Sequence, residues 1–266
     1  MATPKLVDFY EKKYENEAGR DYTIPTFDLV KNPHNRFEAT VDAIHKHFKG
    51  GKILEVGAGS GIVASSLLKT GLEFENYTLS DLSSPRIEAA KQAIGDERFT
   101  TAVLDVEGDN WPFKEDEKFD CILVVALIEH LIDPISAMSR LRNHLSEDGF
   151  MYVLTPNVAR WVKRIRLMGG YFPATASRDE GLTTYDGQPV SLHDEGHIHY
   201  FTYRSLDKLL TQYCGFSHTV KAPYFEGTRM GPKGFESFMA RLWPEMFAEL
   251  ALVAYNKANG EESETA

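Results

Sequence analysis

The sequence predicts an α/β protein: a doubly wound, mostly parallel sheet of seven strands, with helices on both faces and a lid insertion. Three observations carry this. Residues 52–61 read KILEVGAGSG, an apolar strand-length run breaking into alternating glycines, and a helix-compatible run follows at 62–69. Strand, glycine turn and helix open a nucleotide-binding α/β unit. Residues 119–127 form a near-continuous apolar run, the signature of a parallel strand buried on both faces. Around these two, strand-length runs alternate with amphipathic helical patterns.

Residues 1–35 are a polar and aromatic N-terminal arm in which Tyr10 and Tyr14 lie four apart, so on a helix they share a face. Phe37, Val41, Ile44 and Phe48 give the helical spacing for an amphipathic helix over 35–48, ended by Gly50-Gly51. In the glycine turn, Gly57 lets the chain leave the first strand, Gly59 lets backbone approach a ligand, and Gly61 lets helix and strand pack closely. The spacing is G-x-G-x-G, with Ile62 where the dinucleotide fingerprint wants glycine, which argues against NAD or FAD. No Gly-Lys-Ser/Thr follows, so a P-loop is excluded.

Residues 77–82 read as a second strand ending in Asp81, a carboxylate placed to accept both hydroxyls of a ribose. The competing role, capping the next helix, suits Ser83 or Ser84 better because Pro85 then falls at the helix start. That helix runs over 85–94 to Gly95, and a third strand at 99–104 leads into Asp105-Val106. The fourth strand leads into Ile128-Glu129-His130-Leu131-Ile132-Asp133-Pro134, where Asp133-Pro134 starts a helix bearing Ile135, Met138, Leu141 and Leu145. The fifth strand spans 150–154, and Thr155-Pro156-Asn157 ends it.

From 157 to 200 the pattern changes. Residues 159–168 form a basic amphipathic helix stopped by Gly169-Gly170, and a long stretch without periodicity follows, as functional or mobile loops show. It ends in His193, His197 and His199, whose H-x-x-x-H-x-H spacing matches no zinc signature, so no metal site is expected. A helix at 203–213, a sixth strand at 216–220 and a seventh within 248–254 complete the sheet. An irregular aromatic segment is read at 223–244 and a frayed polar tail at 259–266. The organisation is thus an arm (1–35), a ligand-binding half (36–156), a lid (157–200), the rest of the same sheet (201–258) and the tail.

A formal net charge of −10 makes nucleic acid a poor default partner. Cys121 and Cys214 lie far apart, which fits a reducing compartment and no disulfide framework. No apolar run approaches the ~20 residues that span a bilayer. The expectation is a soluble cytoplasmic protein without membrane contact, monomeric or homodimeric.

Glu55 just before the glycines, Asp81 after the second strand and Asp105 after the third resemble the motifs of the class I S-adenosylmethionine methyltransferases. The stretch Glu129-His130-Leu131-Ile132-Asp133-Pro134 resembles the Glu-His-Leu-x-Asp-Pro segment of their ubiquinone-type, small-molecule branch. The resemblance covers 36–154 well and the rest more loosely. It implies a Rossmann-like fold and S-adenosylmethionine as cofactor. It also implies a cofactor set of Tyr14 on the covering arm, Arg36 on the cofactor carboxylate, Glu55, Gly57, Gly59 and Gly61, Asp81 with Leu82, Asp105 with Val106 flanking the adenine, and Leu127. Some relatives bind a divalent metal through Glu-x-x-Glu-His here, but Ala126 stands where the first Glu would be.

The resemblance implies methyl transfer to a small-molecule acceptor. An acceptor hydroxyl needs a base near neutral pH, and histidine is the natural one. The candidates are His130 and His199, then His197 and His193. The basic run from Arg160 to Arg166 has two readings, a solvated helix face or a surface favouring an anionic acceptor. N-methylation of a small molecule is the near alternative. A non-catalytic cofactor- or nucleotide-binding partner protein is the rival from a different class, because it would share the cofactor half and need no base.

Overall fold

Leu54 and Val56 face one hydrophobic core and Ile53 the other, because side chains alternate along a strand. The same two cores divide every central strand, so the sheet is buried on both faces. In the computed structural model of the chain, which describes residues 23–226 and 234–257, the seven strands are ordered β3-β2-β1-β4-β5-β7-β6. They are β1 (Lys52–Val56), β2 (Asn76–Asp81), β3 (Phe99–Val103), β4 (Phe119–Val125), β5 (Leu145–Thr155), β6 (His218–Lys221) and β7 (Leu250–Tyr255). β7 is antiparallel to both of its neighbours, and the pairings among β1 to β5 are parallel.

Helices α1 (Arg36–His47), α2 (Ile62–Lys69) and α3 (Ser84–Ile94) bury Val41, Ile44, Val63, Leu67 and Ile87 in one core. Helices α4 (Pro134–Asn143) and α6 (Tyr203–Lys208) bury Met138, Leu141 and Leu206 in the other. The local signals do what their chemistry dictates. Asn35 caps α1 by accepting from Phe37 N and Glu38 N, and Asp133 caps α4 by accepting from Ser136 N. A register shift between Phe119 and Cys121 turns Phe119 to the same core as Ile122.

The structure departs from the sequence reading in four places. β5 begins at Leu145 rather than 150, because Leu145 pairs with Phe119 across that bulge. The helix expected over 203–213 is α-helical only to Lys208 and continues as a wider π turn over Leu209–Tyr213. The segment 223–244 is not irregular throughout. α7 (Phe235–Leu242) and α8 (Pro244–Phe247) form there, with Phe235, Phe238, Leu242 and Trp243 exposed, so aromatic content hid a helical pattern. Gly61 packs against helix rather than strand: a Cβ there would meet Ala90 Cβ of α3 at 3.1 Å. α5 (Trp161–Met168), the basic helix, buries none of its residues.

Candidate active site

The strands β1 and β2 end beside each other and carry the glycine loop and Asp81 on one edge of the sheet. Asp81 Oδ2 accepts from Gly59 N at 3.0 Å and Oδ1 accepts from Ser83 N at 3.1 Å, so one carboxylate ties the loop to the start of α3. Ser83 occupies the cap position but makes no side-chain cap bond. Gly59 has φ +55°, and the nearest atoms a Cβ on it would meet are those of the Arg86 guanidinium, at 3.1 Å. Leu127 lies 3.5 Å from the position of a Cβ on Gly57. Leu104 N donates to Asp81 O at 3.1 Å, which brings the Asp105 turn beside Asp81, with Val106 buried and Leu82 exposed.

Glu55 lies beneath this loop. It is buried and accepts from Tyr77 OH at 2.7 Å. Burial pushes its carboxyl up to about 8, against the Tyr77 hydrogen bond that favours the anion. A strand-end carboxylate beside a glycine-rich loop, with apolar Val106 and Leu127 nearby, is a set that fits an adenosyl cofactor. Tyr14 lies outside the described residues.

Beside the loop, over the ends of β4 and β5, lies a cavity of about 630 Å³ lined by Arg36, Ala126, His130, Lys163, Thr175 and His197 among others. It opens where the parallel strands end, the usual ligand edge of such a sheet. Ala126 turns the chain out of β4 with φ +53°, rare for a residue with a side chain. The cavity wall is braced by buried polar bonds. Asn157 N donates to Glu249 Oε2 at 2.7 Å, and Arg160 pairs with Glu249 Oε1 at 2.6 Å. Lys163 donates to Ala174 O, and burial lowers its pKa. Arg36 reaches the cavity from the start of α1 and has no ion-pair partner within 4.0 Å among the described residues.

The structure brings two of the four candidate histidines together. The rings of His130 and His197 lie 4.6 Å apart at 78°, both on the cavity. His199 is turned to the far side, with Nε2 3.4 Å from Ile132 O and a separate groove around it. His193 is exposed, its Nε2 2.7 Å from Glu180 O. Positions 197 and 199 part company because the chain there is not an extended strand. Ile198 N and His199 N both donate to Glu129 O, at 2.9 and 3.1 Å, which bends the segment. Glu129 is buried, accepts from Thr155 Oγ1 at 2.9 Å, and burial pushes its carboxyl up to about 7. Glu129, His130 and His197 each offer one metal-ligating atom, within 4.8 Å of one another, and Ala126 supplies no fourth.

A family model described as a methyltransferase domain matches residues 31–217. The chain belongs to the S-adenosylmethionine-dependent methyltransferase family. S-adenosylmethionine is the cofactor of that family, and the loop that fits an adenosyl group lies within the matched residues. The chain is similar to the ubiquinone biosynthesis O-methyltransferase of Dinoroseobacter shibae, 26% identical over 160 residues that cover 59% of this chain and 54% of that one. It is also similar to part of the highly reducing polyketide synthase verA of Penicillium polonicum, 31% identical over 127 residues, 46% of this chain and 5% of the synthase. The chain thus spans about half the length of the first relative or far less of the second. Among solved structures, the 1,6-didemethyltoxoflavin-N1-methyltransferase of Burkholderia thailandensis shares the fold with a TM-score of 0.53 and 16% identity, covering 97% of this chain and 92% of that one. A methyltransferase of Thermotoga maritima described as a possible histamine N-methyltransferase does so with a TM-score of 0.52 and 17% identity, covering 95% and 97%.

Several residues lining the cavity carried no sequence signal. Thr175, Tyr185 and Glu226 stand in stretches without periodicity, and Glu249 precedes a strand. Asp194, inside the histidine-rich stretch, gave no sign in the sequence that it is buried.

Proposed function

We propose that the protein methylates a hydroxyl oxygen of a small, anionic acceptor, with a cavity histidine taking the acceptor's proton. The observation that carries this reading is the His130–His197 pair on a cavity that also holds Arg36 and Lys163. S-adenosylmethionine, when bound, supplies a methyl group on a positively charged sulfur, so the leaving group comes with the cofactor. Asp81 and the loop around Gly59 would hold the nucleoside, and Arg36 would answer the cofactor carboxylate. Lys163 faces the acceptor space and favours a carboxylate or phosphate there. A volume of about 630 Å³ suits a single small molecule held in line with the methyl group. A histidine at the sheet edge removes the proton near neutral pH.

The test is formation of S-adenosylhomocysteine by purified protein given S-adenosylmethionine and a panel of carboxylated catechols, neutral catechols and amines. Turnover with the carboxylated catechols is expected. Turnover with amines alone would move the reading to N-methylation. Cofactor binding without any turnover would support the non-catalytic binding module.

A further inference from the structure

Asp194 is fully buried in the lid, yet among the described residues it forms no ion pair within 4.0 Å. It receives five donors. Thr175 N and Ala176 N reach it at 2.7 and 2.9 Å, Ser177 N at 2.7 Å, Thr175 Oγ1 at 2.8 Å and Tyr200 OH at 3.2 Å. Five donors suit an ionised carboxylate, which only accepts. The chain adopts a costly backbone to place it there: Asp194 and Glu195 have φ +47° and +57°, a left-handed conformation that residues with side chains rarely hold without a reason.

Thr175 Oγ1 also lies 2.7 Å from His197 Nδ1. The hydroxyl has one proton and two close neighbours. Directed at Nδ1, it would leave Oγ1 and Asp194 Oδ2 2.8 Å apart with no proton between them. Directed at Asp194, it accepts an N–H from His197 Nδ1, and both contacts are hydrogen bonds. Only the second assignment satisfies the geometry. The neutral ring then carries its proton on Nδ1 and its basic lone pair on Nε2, the atom 3.9 Å from Glu129 Oε1.

We propose that Asp194, acting through the Thr175 hydroxyl, is a positioning residue that fixes the tautomer and orientation of His197 and so makes His197, rather than His130, the base of the cavity. This rests on the histidine-base reading above. The acceptor's O–H bond breaks with its electron pair left on oxygen, and the proton forms the Nε2–H bond of an imidazolium. Asp194 stabilises that charge through Thr175, and the proton passes later to water. Glu129 and His130 from the turn after β4 face this ring, and Arg36, Arg160, Lys163, Glu195, Glu226 and Glu249 are among the charged groups on the same cavity. His130 Nδ1 stands 3.1 Å from Gly196 O, a neutral carbonyl.

The test uses the full chain labelled with ¹⁵N-histidine, in wild-type, Thr175→Ser and Thr175→Val forms. Imidazole nitrogen shifts read the tautomer without any need for turnover, and Ala substitution of His197 assigns its signals. Wild type and Thr175→Ser are expected to show His197 as the Nδ1–H form at alkaline pH. Thr175→Val is expected to shift it toward Nε2–H. With S-adenosylmethionine and protocatechuate, kcat should fall at least about tenfold in Thr175→Val, the scale of a misplaced base. KM and cofactor affinity should hold, and Thr175→Ser should restore kcat. A wild-type His197 in the Nε2–H form overturns the proposal, and so does unchanged kcat in Thr175→Val. If no acceptor is turned over by wild type, the function reading fails while the tautomer measurement still decides the relay. If Thr175→Val does not fold, the wild-type and Thr175→Ser spectra decide it. A purely structural Thr175 would lower stability and leave the tautomer where it was.

Discussion

Glu129 Oε1 stands 3.9 Å from His197 Nε2, with the two side chains 2% and 8% exposed. That is too long for a hydrogen bond, and Oε1 has no other hydrogen-bond partner among the described residues. A buried carboxyl thus faces a buried imidazole across a narrow gap, and that imidazole lines the cavity.

Burial pushes the Glu129 carboxyl from its ordinary 4.5 up to about 7, which makes it a pH-dependent cost to the fold. Between those values the folded chain keeps a proton that the unfolded chain has lost. The folded state therefore binds more protons, and its stability falls as pH rises through that window. Below 4.5 the effect vanishes, and above about 7 it is complete. Urea unfolding of wild type and Glu129→Gln should show wild type losing roughly 2–3 kcal/mol more than the variant across the window. Parallel curves would mean that Glu129 is ionised throughout.

Gly59→Val is expected to abolish cofactor binding. Gly59 has φ +55°, which strains a β-branched residue, and the new side chain would enter the space between the loop and Arg86. Calorimetry with S-adenosylhomocysteine on a folded variant checks this, and unchanged affinity refutes it.

Asp81→Ala should weaken cofactor binding by about 1.5–3 kcal/mol, the scale of hydrogen bonds to a charged group. The variant also loses the bonds from Gly59 N and Ser83 N that hold the loop against α3. A defect that appears only with acceptor, with cofactor affinity intact, would place Asp81 elsewhere in the reaction.

Among the four histidines, Ala substitution of His197 should cause the largest drop in turnover, about 10²–10⁴-fold. His193→Ala and His199→Ala should stay near wild type, because those rings lie off the cavity. Equal turnover in all variants across a pH profile would mean that alignment alone carries catalysis.

Turnover should survive a chelator. The Glu129, His130 and His197 atoms lie within 4.8 Å of one another, but His197 Nε2 is then needed for a proton and Ala126 adds no ligand. Loss of activity with chelator, restored by magnesium or zinc, would turn the cluster into a metal centre and remove His197 as base.

The sheet was legible in the sequence because its signals are local. The apolar runs of β1 and β4, the glycines between β1 and α2, and Pro85 and Asp133-Pro134 at helix starts each declare themselves within a few residues. The irregularity near Phe119 was not legible, since Phe119 and Cys121 are two positions apart while their partners Leu145 and Phe150 are five apart, and the polar residues between those partners read as a turn. α7 was missed because its exposed face carries Phe235 and Phe238, so its hydrophobic pattern does not mark a buried stripe. The glycine loop and Asp81 stood out in the sequence, and the structure sets them side by side at the ends of β1 and β2. The acceptor cavity could not, because His130 and His197 meet across most of the lid, and the Thr175 contact that singles out His197 joins residues with no shared periodicity.

The placement of β7 has a consequence for how the chain assembles. β7 lies between β5 and β6, and among the described strands β6 pairs with nothing else. A ribosome releases β6 first, so the earlier strand has no seat until residues 250–255 emerge and fill the slot. Until then β5 presents an unprotected apolar edge, the kind that recruits chaperones or neighbouring nascent chains. Removing β7 would therefore strip two strands from the sheet at once, and the vulnerable moment of synthesis falls after the whole cofactor loop has already been made.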